Sequence, residues 1–416
     1  MARCFTAGKR AALVAAAVAA VCALNFFVLR PLYEQGSLDR PAVLINVTVT
    51  MVALPGLVVG RAFINGHSLS EDVLRRYYLV VTLTTAATFW ALAWVFFRAR
   101  RRRRERPPSA RGREGRSPAA RRSGATESAA RRVFLRRAVT WSVASGLGAL
   151  GGYGLWVEPR WLRVRRLRLP LRGLPPALVG LKVAHLTDLH LGRFTSAGYL
   201  SGVIERCNTL RPDLVLLTGD FVHGSPCFIP GAARIVGGLE PRLGTLAVRG
   251  NHDHWEGAER SRRALRGAGV RLVENRCVWV DGRRLSDRAL PGALCVGGVG
   301  DLWEGRVDLD AALGGVDPET PRLLLAHNPD FAETARARRS PHRIDLMLAG
   351  HTHGGQVRLL GAGSLISPSR HGSKYDGGFV EGPRFRVFVS VGVGTSILPV
   401  RFRVRPEIVL FELARA

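Results

Sequence analysis

Six cysteines are spread over 416 residues (Cys4, Cys22, Cys207, Cys227, Cys277 and Cys295), and no two form a CxxC pair. That absence excludes zinc-ribbon and thioredoxin-like chemistry and leaves small buried apolar thiols as the reading. A disulfide among the last four, in an oxidising compartment, stays open without a defined pairing. Acidic residues are scarce too: 32 Asp+Glu stand against 61 Lys+Arg, a formal net charge of +29. Such a surplus points to an anionic partner, whether membrane phospholipid, nucleic acid or a phosphorylated substrate. Histidine is rare, with 11 in the chain, yet two lie one residue apart in "AGHTHGGQ" (349–356). An isolated HxH is as often a polar loop as a ligand pair, so the rest of the chain has to decide.

Charge is missing altogether from three stretches of the first 97 residues: "AALVAAAVAAVCALNFFVL" (11–29), "AVLINVTVTMVALPGLVVG" (42–60) and "YYLVVTLTTAATFWALAWVFF" (77–97). Each has about the roughly 20 residues that cross a bilayer core, and the third carries aromatics at both ends, as interfacial anchors do. Residues 1–97 are therefore expected to form transmembrane helices. The first is read as an uncleaved helix, because Val21-Cys22-Ala23 makes a poor signal-peptidase site. A fourth stretch, "AVTWSVASGLGALGGYGLWV" (138–157), has small residues at Gly148 and Gly152 that permit close helix packing in lipid.

Between them, residues 98–137 hold 16 Arg and 3 Glu, a net of +13, in a low-complexity background of Ser, Pro and Gly. This segment is expected to be a disordered loop, held in the cytoplasm by the positive-inside rule. Residues 138–157 then lead outward, as a fourth transmembrane helix or an internal export-signal-like anchor, since Arg131-Arg132-Val-Phe-Leu-Arg resembles a twin-arginine signal. The expected placement is a multi-pass cell-membrane protein whose C-terminal domain is extracytoplasmic. Arg3, Lys9 and Arg10 pull the N-terminus the other way; either one apolar segment does not span or the large loop dominates. The arginine run lacks interleaved aromatics and abuts a span, which favours anionic headgroups over nucleic acid as its contact.

After a linker at 158–180 the pattern changes. From Leu181 short apolar runs alternate with helix-like segments, which predicts a layered α/β domain over 181–414. The polar residues gather at the C-terminal ends of the strands, where open α/β sheets bind ligands. Asp188 and His190 follow the first run, Gly219-Asp220 the second, Gly250-Asn251-His252-Asp253 the third, His327-Asn328 a later one and Gly350-His351-Thr352-His353 the last. Residues i and i+2 of a strand share a face, so an extended backbone would put each Asp/His pair side by side. Two aspartates, one asparagine and four histidines form a mixed oxygen and nitrogen set suited to Mn²⁺, Fe or Zn²⁺. Seven such donors fit two ions sharing a bridging carboxylate, an arrangement that serves phosphate-ester hydrolysis. The glycines before Asp220, Asn251 and His351 would allow tight turns and close approach of substrate.

These five motifs, in this order, resemble the full motif set of the calcineurin-like metallophosphoesterases. "HNPD", "GHTHGGQ" and the tail "VSVGVGTSILPVRFRVRPEI" are similar to a membrane-associated bacterial phosphodiesterase subgroup that includes UDP-2,3-diacylglucosamine pyrophosphatase-type enzymes. The resemblance implies a four-layer αββα sandwich and two divalent metal ions. It implies that Asp188, His190 and His353 hold the first metal, that Asn251, His327 and His351 hold the second, and that Asp220 bridges them. His252 would act as acid or phosphate-stabilising cation, oriented by Asp253. The implied activity is hydrolysis of a phosphodiester or pyrophosphate bond, in a lipid or cell-envelope intermediate. A soluble nucleotide-type substrate and a silent membrane scaffold are the alternatives. Outside the motifs, Asp301 is read as a pocket-lining or turn-capping residue and His185 as a packed histidine on the opposite strand face. His223 and His254 are substrate-contact candidates, and Arg193 and Arg370 candidate phosphate contacts set against a solvated default.

Overall fold

The computed structural model describes residues 142, 145–146, 149–359, 363–364 and 367–416. The expected spans at 11–29, 42–60 and 77–97 and the basic loop at 98–137 lie outside the described residues, and 138–157 lies partly outside. Among the described residues, no helix is long and apolar enough to cross a membrane.

Among the described residues there are fifteen strands, the central ones formed by short Leu/Val-rich runs that Gly, Pro and Asp interrupt. In chain order they are β1 (Arg163–Leu171), β2 (Lys182–Leu186), β3 (Leu214–Thr218), β4 (Gly244–Val248), β5 (Arg271–Leu272), β6 (Arg276–Val280), β7 (Leu285–Ser286), β8 (Leu294–Gly298), β9 (Arg322–Leu325), β10 (Leu346–Ala349), β11 (Arg358–Leu359), β12 (Gly363–Ser364), β13 (Gly378–Glu381), β14 (Arg386–Val389) and β15 (Glu407–Arg415). The α-helices are α1 (Ala197–Asn208), α2 (Ile229–Val236), α3 (Asn251–Trp255), α4 (Ala258–Gly267), α5 (Leu309–Leu313) and α6 (Ala335–Arg339). One sheet has the order β1-β15-β2-β3-β4-β5, the other β13-β14-β10-β9-β8-β6-β7.

Strand alternation distributes the apolar side chains into three cores. In β3, Leu214 and Leu216 enter a core shared with β9 and β10, whereas Val215 and Leu217 face α1 and α2. In β10, Leu346 and Leu348 meet that same shared core, and Met347 and Ala349 face away from it. Leu309 and Leu313 of α5 and Ala337 of α6 pack in this outer layer. The order is thus helix, sheet, sheet, helix, with both sheets buried on both faces, which is why their strands read as unbroken apolar runs.

The stretch expected to be a linker, 158–180, is instead built into the first sheet. β1 pairs in parallel with β15 from Arg163↔Glu407 to Leu171↔Arg415. Its sequence RVRRLRLPL alternates, placing Leu169 and Leu171 in the sheet–sheet core while Arg166 and Arg168 face out. Pro170 is tolerated because β1 is an edge strand. Arg163 and Arg165 close on the buried Glu407 carboxylate. The compact unit accordingly begins at Ala149.

Candidate metal centre

Strands β2, β3 and β4 run parallel, as do β9 and β10, so their C-terminal ends meet at one rim of the sandwich. The candidate donors do not, however, sit on prolonged strands. β2 ends at Leu186 and β10 at Ala349. Beyond those points Asp188 (φ 53°), His190 (47°), Asp220 (56°), His351 (68°) and His353 (50°) all adopt the left-handed conformation. The i, i+2 pairs converge through these turns and not through strand alternation. Non-glycine residues hold such angles where surrounding structure overdetermines them, and they collect at functional sites. Here the restraint is a set of crossed backbone bonds: Asp188 N donates to Gly219 O (3.0 Å), His190 N to Asp220 O (2.9 Å), Gly350 N to His327 O (3.0 Å) and Gly394 N to Asp188 O (2.7 Å).

The glycines serve this packing more than any approach of substrate. A Cβ on Gly350 would collide with Thr187 Oγ1 and Asp188 Oδ2, and one on Gly250 with Asp220 Oδ1 and the His327 ring.

All seven expected donors are buried, and they form two groups. In the first, His190 Nε2 lies 2.9 Å from His353 Nε2, and Asp188 Oδ1 is 3.3 Å from the latter. In the second, His327 Nε2 is 3.1 Å from both His351 Nδ1 and Asn251 Oδ1. Asp220 joins them: its Oδ2 is 3.4 Å from His190 Nε2 and 3.2 Å from His327 Nε2, while Oδ1 accepts from His252 N (2.9 Å). Ligand atoms held at about 2.1 Å from one ion at right angles are about 3 Å apart, so the spacing suits a cation. The electrostatics agree. Burial would lower the His327 imidazole, but Asp220, Asp188 and Asp301 outweigh it and raise its pKa. Burial would raise Asp220, but His327 and His252 hold it well below the carboxylate range. Burial lowers the His351 and His353 imidazoles, which favours their neutral, ligating form, and Asp188/His190/His353 and Asp220/His327/His351 are groups that could hold metal.

Asp253 does not stand behind the His252 ring as expected. Its Oδ2 accepts from Asp220 N and Gly250 N and its Oδ1 from Phe221 N, all at 2.9 Å. It pins the loops after β3 and β4 together, and so sets the position of Asp220. The neighbour of His252 is His223, with the two Nδ1 atoms 3.2 Å apart. The His252 ring also packs against His190 and Trp255, at centroid distances of 4.8 and 4.7 Å.

Asp301 caps a turn: its Oδ1 accepts from Trp303 N and Glu304 N, both at 2.9 Å. His185 is buried in the sheet–sheet layer, 2.9 Å from Thr218 Oγ1 and edge-on to Phe388, and burial lowers its pKa to about 3. His254 is partly buried at the end of α3, and Arg193 and Arg370 are exposed. Cys207, Cys227, Cys277 and Cys295 are free thiols. Sequence reasoning missed Arg401. It is fully buried behind His353, with Nη2 3.5 Å from His353 Nδ1 and bonded to the carbonyls of Val391 and Gly394. Desolvation lowers its pKa to about 10. In a chain so rich in arginine, no local signal distinguishes it.

Residues 181–355 match the family described as calcineurin-like phosphoesterase. The chain is similar to the phosphodiesterase YaeI of Escherichia coli, at 32% identity over 68% of this chain and 98% of that protein. It is also similar to the uncharacterized metallophosphoesterase YkuE of Bacillus subtilis, at 29% over 68% and 97%. A transmembrane protein with metallophosphoesterase domain from Danio rerio is 30% identical over 64% of this chain and 61% of its own length. These names extend to phosphodiesterase; the narrower likeness to UDP-2,3-diacylglucosamine pyrophosphatases rests on the motifs alone.

Proposed function

The chain belongs to the calcineurin-like phosphoesterase family and is a metal-dependent phosphoric ester hydrolase, and from that premise we propose a membrane-anchored, two-metal phosphodiesterase or pyrophosphohydrolase acting on a lipid or cell-envelope intermediate. The observation that carries this reading is the Asp220 carboxylate, whose Oδ2 lies within 3.4 Å of donors from both histidine groups. Asp188, His190 and His353 would hold one ion, Asn251, His327 and His351 the other, and Asp220 both. Two divalent ions held there, Mn, Zn or Fe, would supply Lewis-acid chemistry for the phosphoryl oxygens and a nucleophile derived from water.

The protein's own side chains do the rest. His252, beside the first group, is placed to donate to or stabilise the leaving oxygen. His223, not Asp253, sets the orientation of its ring. Asp253 holds Asp220 through the backbone. The four apolar segments and the basic loop of the sequence support membrane anchoring with the catalytic domain outside the cytoplasm, and the name of the Danio rerio relative supports membrane association alone. A soluble nucleotide-type diester is the second reading, favoured by the tryptophans packed on His252 and His351.

The purified full-length protein with Mn²⁺ should hydrolyse bis(p-nitrophenyl) phosphate. Chelation should abolish turnover and added Mn²⁺ should restore it. Full turnover after exhaustive chelation would contradict the reading. Release of a phosphate-linked head group from envelope lipid extract would identify the substrate class.

A further inference from the structure

We propose that residues 149–161, 191–195 and 395–405 form one face that docks on an anionic bilayer surface. The proposal rests on the membrane-anchored reading above and assigns the part of the catalytic domain that meets lipid.

Hydrogen bonds hold the three segments together. Arg401 N donates to Gly154 O at 3.0 Å, and a Cβ on Gly154 would touch Val400 and Phe402. Thr395 N donates to Thr195 Oγ1 at 3.2 Å. The face is also tied to the metal centre. The turn at 191–195 follows His190 directly. Gln356, just after His353, accepts from Ser396 N and donates through Nε2 to Ser396 O, both at 2.8 Å.

Its apolar content sets it apart from the rest of the surface. Of eight exposed large hydrophobics among the described residues, six lie here: Leu150, Trp156, Val157, Trp161, Phe194 and Leu398. An exposed apolar gathering of this kind marks an interaction site. Trp156 and Trp161 are 65% and 50% exposed, and tryptophan settles at the headgroup level of a bilayer.

Charge selects the occupant. Arg160, Arg193 and Arg403 are exposed, and the Arg405 guanidinium lies 4.0 Å from the Trp161 ring centroid. The one acidic residue of the three segments, Glu158, is buried and accepts from Val404 N. Arginines around tryptophans with no exposed carboxylate suit anionic headgroups. Leu150, Trp156 and Val157 also belong to the apolar stretch 138–157, so the chain runs from a stretch of bilayer length directly into this face.

The test is hydrogen exchange by mass spectrometry on the full-length protein, in nanodiscs of phosphatidylcholine with and without phosphatidylglycerol. One arginine at an anionic surface is worth about a fivefold factor. Amides of the three segments should therefore exchange at least about fivefold more slowly with phosphatidylglycerol. The double variant Arg160→Glu, Arg403→Glu should lose that difference and keep turnover of bis(p-nitrophenyl) phosphate in detergent. The proposal is overturned if exchange is alike in both discs or if the double variant keeps the difference. It is also overturned if the face is equally protected in uncharged detergent, which would place residues 1–148 over it. Protection that rises with protein concentration would assign the face to a second copy and overturn it too. A chain that stays soluble without detergent would sink the anchoring reading, and vesicles of the same two compositions then replace the discs. Lipid-dependent protection without hydrolysis of any ester would sink the hydrolase reading and leave the face standing.

Discussion

Five of the seven candidate donors sit in left-handed turns, and each turn is locked by another donor's backbone or side chain. His351 N, for example, donates to both oxygens of Asp188, at 3.1 and 3.0 Å. Gly350 is the tightest point, because any side chain there displaces Asp188 and Thr187. Gly350→Ala should therefore lower metal affinity by about 10–100-fold, the range seen when partners of metal ligands are removed. Titrating Mn²⁺ into the metal-free variant while following phosphodiesterase turnover checks this; a wild-type titration curve would show that the packing is not limiting. The donor residues themselves were legible because aspartate, asparagine and histidine after an apolar run are uncommon and recurred five times. Their geometry was not. Alternation along a strand suggested the right neighbours, but the turns that place them depend on contacts between separate loops, from Asp188 with Gly219 to Asp188 with His351 and Gly394. Asp253 shows the same limit. Its neighbour in sequence is His252, yet its hydrogen bonds go to backbone N–H groups of Asp220, Phe221 and Gly250.

At the scale of elements, a part-buried carboxylate ties the outer layer of the second sheet together. Glu333 ends the 3-10 turn Pro329–Glu333 and accepts from Lys374 Nζ (2.6 Å), Tyr375 Oη (2.8 Å) and Arg338 Nη2 (2.6 Å). Burial alone would raise its carboxyl, but these three donors lower its pKa from 4.5 to about 2. A depressed carboxylate contributes stability above its unfolded pKa and loses it as pH falls through the folded one. Glu333→Gln should thus melt below wild type at pH 7, and the gap should shrink between about pH 4.5 and pH 2. A gap independent of pH would show that the charge is not what holds α6 to the turn at Gly372–Tyr375. The central strands β2, β3, β4, β8, β9, β10 and β14 were legible as apolar runs, whereas the short β5 and β7 carry no run to read and β1 looks like something else. β1 carries arginines on its exposed face and a proline near its end, so it resembles a linker until Leu167, Leu169 and Leu171 are read at every second position.

At the scale of the whole molecule, the chain joins this sandwich to a segment, residues 1–148, whose sequence holds several apolar runs and one arginine-rich loop. If that loop is cytoplasmic, a compartment-specific reporter fused after Val157 should be active only outside the cytoplasm. A cytoplasmic signal would place the site on the other side and remove an exported substrate from consideration. The four-layer architecture could be anticipated only through the motif resemblance, since nothing in the alternation of short strands says how two sheets stack. The account as a whole stands on Asp220 serving two ions at once. The most direct measurement is metal content per chain, by elemental mass spectrometry, of wild type and Asp220→Ala after loading with Mn²⁺. It is to be read beside turnover of bis(p-nitrophenyl) phosphate. The account predicts two ions per chain in wild type, clearly fewer in the variant, and loss of turnover. Two ions per chain and wild-type turnover in Asp220→Ala would contradict it.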